Sequence, residues 1–171
     1  KSGAGSLILS ATNTYTGATT ISAGTLSISA DANLGTAPGS ATAASLVLNG
    51  GTLLTTADIT LNSNRGISLV AASTINVDTG DTLTYAGVIN DGSGSFALTK
   101  AGAGTLVLSG ANTYDGGTTL SGGTLRAGIA SSGSAGSVSN GPFGTGTVTV
   151  GSGFTIDLVG FNLANALNLS G

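Results

Sequence analysis

The chain has 171 residues, 30 of them Gly and only two Pro, with no Cys, Met, Trp or His and a formal net charge of −3. Four bases (Lys1, Arg65, Lys100 and Arg126) against seven acids, all Asp, leave no basic patch to neutralise phosphates, so nucleic acid and anionic lipid are excluded as partners. The absence of Cys excludes thiolate chemistry and a disulfide scaffold. No apolar run approaches the roughly 18 residues of a membrane helix, so this segment is not expected to insert in a membrane.

Along the chain, apolar residues alternate with Ser, Thr or Asn, which is the pattern of a strand with one buried face. The first half carries Leu7/Leu9, Leu26/Ile28, Leu46/Leu48, Ile59/Leu61, Ile67/Leu69, Ile75/Val77 and Leu83/Tyr85. The second half continues with Phe96/Leu98, Leu106/Leu108, Val148/Val150, Ile156/Leu158 and Leu167/Leu169. Turn signals separate them, among them Asn49-Gly50-Gly51, Asp78-Thr79-Gly80-Asp81, Asn90-Asp91-Gly92, Asp115-Gly116-Gly117 and Asn140-Gly141-Pro142. No stretch keeps a helical stripe for more than two turns. The class is all-β.

The chain also repeats itself. "KSGAGSLILSATNTYTGATTISAGTL" (1–26) and "KAGAGTLVLSGANTYDGGTTLSGGTL" (100–125) match at 17 of 26 positions without a gap. Small inward residues recurring at about 20–25-residue intervals, abundant Gly and no Trp predict a narrow-cored parallel β-helix, a β-solenoid of roughly seven or eight coils. One β-solenoid segment then spans 1–171, with a first repeat unit at 1–99 and an incomplete second unit at 100–171.

The unit K-x-G-A-G-x-L-x-L-S-x-x-N-T-Y-x-G-x-T-T-x-S-x-G-T-L resembles the passenger-associated transport repeat of bacterial autotransporters. "LGTAPGSATAASLVLNGGTL" (34–53), "TINVDTGDTLTYAGVINDGSGSFALTK" (74–100) and "FGTGTVTVGSGFTI" (143–156) resemble the flanking coils of such passengers. The resemblance implies a right-handed β-helix outside a Gram-negative cell, serving as stalk, spacer or adhesin shaft, with any translocation barrel outside this chain. Within the motif, the Gly residues of G-A-G suit a left-handed turn before a strand, Asn13 and Asn112 suit backbone bonding across a turn, and Tyr15 and Tyr114 suit a ring laid on the next coil with its hydroxyl in water.

No catalytic, cofactor-binding or metal-binding residue is assigned. Val77-Asp78-Thr79-Gly80 contains the D-T-G of aspartic proteases, but those need two carboxylates sharing a proton and the chain has one copy. Asp78 with Asp81 could imitate a glycosidase pair, yet no Glu, His or Trp equips a sugar cleft; turn formation is the expected role. Neither 90–96 nor 114–120 has the Gly/Asp order of a calcium-binding coil. Asn168-Leu169-Ser170 is a formal glycosylation sequon, expected to be silent in a bacterial protein. The alternative to a structural role is an adhesin, or a glycan- or ice-binding face built from a Thr ladder. Thr145/Thr147/Thr149, Thr82/Thr84 and the adjacent Thr118–Thr119 are irregular along the sequence.

Two packing expectations follow. Leu108 and its equivalent Leu9 face inward, and Val107 and Ile8 outward. Residues 168–171 correspond to 69–72 of the first unit, so the chain breaks off in mid-unit with no polar capping coil at either end. The expected partner is therefore more of the same fold, either the continuation of a longer chain or a second copy stacked end to end into a fibre, with a host or matrix glycan as a further partner.

Overall fold

A computed structural model of the chain describes residues 1–170. Its strands stack as parallel coils in three sheets. The longest sheet has eight strands in spatial order Ser6–Leu9, Thr25–Ile28, Thr52–Thr55, Ser73–Val77, Leu98–Ala101, Thr118–Leu120, Val148–Val150 and Leu167–Leu169. A five-stranded sheet stacks Ile59–Leu61, Thr82–Tyr85, Thr105–Leu108, Thr124–Ala127 and Thr155–Asp157, and a four-stranded sheet stacks Thr19–Ile21, Thr42–Asn49, Arg65–Ala71 and Ile89–Asn90. One coil reads in order through all three: Thr52–Thr55 in the long sheet, Ile59–Leu61 in the five-stranded, Arg65–Ala71 in the four-stranded, then Ser73–Val77 back in the long sheet. The eight strands of the long sheet enclose seven coils. At about 4.8 Å per coil they make a stack about 34 Å long.

Register puts like on like. In the long sheet the inward positions Leu7, Leu26, Leu53 and Ile75 align in one row, which continues as Lys100, Leu120, Val150 and Leu169. In the five-stranded sheet Ile59, Leu83, Leu106, Leu125 and Ile156 form one inward row, and Leu61, Tyr85, Leu108 and Ala127 the next. Slipping any strand by one residue would turn its apolar set to solvent, so the burial of these rows fixes the pairing. Leu108 is buried as expected; Leu9 faces inward too but is only partly covered, on the outermost strand. Val107 is partly exposed and Ile8 fully so, on the outer face.

Coils vary in length because turns absorb insertions. The 27 residues from Leu26 to Leu53 hold a 3-10 turn, Asp31–Leu34, and the 30 from Leu120 to Val150 hold an antiparallel hairpin, Ser132–Ser134 with Ser137–Asn140. That hairpin is the departure from an all-parallel reading. A second departure concerns Phe96/Leu98: the strand starts at Leu98, so the inward pair is Leu98 and Lys100.

The two copies of the repeat do not lie on the same face. Ser6–Leu9 and Thr25–Ile28 belong to the long sheet, whereas their equivalents Thr105–Leu108 and Thr124–Ala127 belong to the five-stranded one. Thr19–Ile21, in the four-stranded sheet, likewise maps to Thr118–Leu120 in the long sheet. Four turns carry the chain from Leu7 to Lys100, and one more strand brings it to Leu106, the equivalent of Leu7. The 99-residue period is therefore four turns and one face.

Candidate functional site

The motif residues act between coils. Lys100 is fully buried, and its ammonium donates to the carbonyls of Ala101 (2.6 Å), Gly102 (2.8 Å) and Gly122 (3.1 Å). Gly102, at φ +74°, adopts the left-handed turn expected of G-A-G. In the first copy Lys1 bonds the equivalent carbonyls, those of Gly3 and Ala23. The repeat's Lys thus clamps the G-A-G turn to the S-x-G turn of the following coil. Burial pushes the Lys100 pKa down to about 8.

Asn112 spans three coils. Its Oδ1 accepts from the Ile89 amide (2.8 Å) and its Nδ2 donates to the Pro142 carbonyl (2.7 Å), both buried. For Asn112 the bonding expected across a local turn is therefore between coils, whereas Asn13 makes both kinds, donating to the local Ala11 carbonyl at 3.2 Å and to the Asn33 carbonyl of the next coil at 2.8 Å. Tyr114 corrects the expected wet hydroxyl: it is fully buried, paired with the Thr118 hydroxyl at 2.6 Å, which itself meets the Phe143 carbonyl at 2.9 Å. Tyr15 makes the same pair with Thr19 at 2.8 Å but stays partly exposed. Each ring lies against a Gly of the next coil, Gly35 or Gly144, where a Cβ would collide with it. Burial raises the Tyr114 and Tyr85 hydroxyl pKa values well above the ordinary tyrosine range.

Most Asp side chains hold backbone. Asp78 Oδ1 accepts from the Thr79 amide and its carbonyl from the Asp81 amide, in keeping with a turn. Asp58 receives the Thr82 amide of the next coil at 2.7 Å, and Asp91 the amides of Phe96 and Asp115. Asp31 makes a two-point ion pair with Arg65, at 2.8 and 3.1 Å, and the same guanidinium also donates to the Leu34 and Gly35 carbonyls. Arg65 is buried; Asn64-Arg65 between a turn and a strand carried no sign of this in the sequence. Among the described residues no three of His, Cys, Asp and Glu gather as metal ligands would. A shallow cleft of about 490 Å³ beside Asn64 and Asn90 is lined by small and neutral residues.

The outer face of the long sheet is regular where the sequence looked irregular. Thr25, Thr52, Thr74, Thr99, Thr119 and Thr149 are register partners on six consecutive strands, with Ser6 before them and Asn168 after. A second row of four, Thr82, Thr105, Thr124 and Thr155, runs up the five-stranded sheet. Unequal coil lengths hid both rows.

Such an array of coil-to-coil clamps around a narrow apolar core defines a parallel β-solenoid built from a stacked repeat. The family model for the passenger-associated-transport-repeat matches residues 1–28 and 98–127, so the chain carries the autotransporter passenger repeat in two copies. It is 43% identical over 124 residues to the "Adhesin BmaC autotransporter" of Brucella suis biovar 1 (strain 1330), a match that covers 72% of this chain and 3% of that protein. The chain thus spans a small fraction of the length of the relative it matches. No solved structure matches it significantly.

Proposed function

We propose that the chain is a length of extracellular shaft, exported as part of an autotransporter passenger and displayed on a bacterial surface, where it spaces or presents an adhesive region. The observation that carries this reading is the inward row of the long sheet, aliphatic at seven of its eight strands with Lys100 at the other, which stacks each coil on the next in register. Each coil rests only on its neighbours, so length is added without redesigning a core. The role is mechanical rather than enzymatic. The adhesin name of the relative supports a passenger of the adhesive kind.

The shaft continues by coil-on-coil stacking, within a longer polypeptide or against a second copy. Leu7 and Leu169, at the two ends of the inward row, are 43% and 73% exposed. Fused ahead of an autotransporter translocation barrel, the chain should become accessible to antibody and protease on intact cells; retention inside the envelope would refute the display reading. Light scattering across a concentration series tests stacking between copies. Growing assemblies that Leu169→Lys abolishes are the expected result, and a monomer at every concentration would confine stacking to the continuous chain.

A further inference from the structure

The six-Thr row on the long sheet has features that a spacer does not require. All six side chains are partly exposed, and none of their hydroxyls is hydrogen-bonded to protein among the described residues, unlike the inward Thr118. Two residues before each, in the turn that leads into the strand, lies Ala23, Gly50, Ala72, Ala97, Gly117 or Thr147. Two residues after each lies Ser27, Leu54, Asn76, Ala101, Ser121 or Gly151. None of these positions carries a charged or an aromatic side chain. The free hydroxyls recur at the strand spacing of about 4.8 Å, so that the row from Thr25 to Thr149 extends about 24 Å. Beneath them, buried Leu26, Leu53, Ile75 and Leu120 hold the rungs in place.

We propose that this face is a template for ordered water, and that its ligand is the surface of ice. A neutral row of unpaired hydroxyls, one per strand, offers each first-layer water a hydrogen-bond partner at a fixed repeat. It offers little to other occupants. A sugar chain is usually gripped in a concavity with convergent polar groups and an aromatic platform, and the positions beside this row carry no aromatic. A polyanion or basic peptide finds no charge. The inference is independent of the shaft reading, because a shaft can carry this face or lack it.

The test is thermal hysteresis and inhibition of ice recrystallisation by the 171-residue chain, with folding verified by circular dichroism. Expected are a measurable hysteresis gap and small crystals after annealing. Thr74→Lys with Thr99→Lys, in the middle of the row, should reduce both at least tenfold. The pair Thr60→Lys and Thr84→Lys, on the outer face of the five-stranded sheet, should leave them unchanged. Thr99→Tyr raises a ring above the row on a strand that tolerates aromatics, and it should give the same loss if the Lys pair fails to fold. A folded chain with no effect on ice overturns the proposal. So does ice activity that the Thr99 variants leave intact, or binding to neutral polysaccharide without any ice activity.

Discussion

At the scale of single residues, alternation decides cost. Leu108 is buried between Tyr85 and Ala127 in its row, and Val107 beside it faces out. Leu108→Ala should cost about 2–5 kcal/mol through lost transfer energy and the cavity left behind. Val107→Thr should change stability by less than about 0.5 kcal/mol. Urea titration of both variants checks the pair, and equal losses would mean that the faces are reversed.

Lys100 gives a sign-specific dependence on pH. Its folded pKa of about 8 lies below its ordinary value, so between pH 8 and its ordinary range the unfolded chain binds a proton that the folded chain does not. Stability therefore rises with pH across that window, by roughly 3 kcal/mol if the whole shift is realised. Tyr85 and Tyr114 oppose it, because their folded pKa values are raised and the unfolded chain alone loses their protons above about pH 10. Thermal melts should show stability climbing from about pH 8 and turning over near pH 10. In Lys100→Met the climb should vanish while the alkaline loss remains. A melting profile unchanged by this substitution would show that the ammonium is hydrated in the folded state.

At the scale of elements, the coils separate what must match from what is free to vary. Strands are held in register by buried rows, whereas the connecting segments vary in length and add only a few core side chains, Leu34, Tyr114 and Phe143 among them. The hairpin 132–140 is largely exposed; beyond its own ladder, its Gly136 amide reaches the Ala164 carbonyl at 3.1 Å. Replacing Ser132–Asn140 by a Gly-Gly link should leave the urea midpoint nearly unchanged, since shortening an exposed loop alters closure entropy by well under about 1 kcal/mol. A loss above about 2 kcal/mol would show that the hairpin supports the Asn112–Gly141 bridge next to it. Asn112 is the contrasting case. Two buried backbone groups on different coils depend on its one amide, so Asn112→Ala should cost about 2–4 kcal/mol although it removes no apolar contact.

For the whole molecule, the governing quantity is the advance per repeat. Because the 99-residue period is four turns and one face, each further unit lengthens the stack by about 21 Å and turns the motif to the next sheet. Small-angle scattering from a chain extended by one full unit should show its maximum dimension growing by about that length at constant cross-section. Growth in width instead would mean that the units pack side by side.

The amino-acid sequence by itself determined the class, the repeat and most inward positions. Period-two alternation and Gly/Asn turns are local properties, and Leu7/Leu9, Ile75/Val77 or Leu106/Leu108 carry them whatever the coil does next. It did not disclose that Lys100 lies inward in an aliphatic row, although its position two residues after Leu98 was a signal of it. Nor did it disclose that Arg65 is buried against Asp31, 34 residues away, or that Tyr114 is dry, since both depend on which coil covers them. The tertiary structure alone decided the register between coils. Neighbouring Thr of the row are separated by 27, 22, 25, 20 and 30 residues, so no fixed spacing could align Thr25, Thr52, Thr74, Thr99, Thr119 and Thr149. Only the burial of the apolar rows behind them does so, because the turns take up the difference in length while the strands cannot slip without exposing their cores.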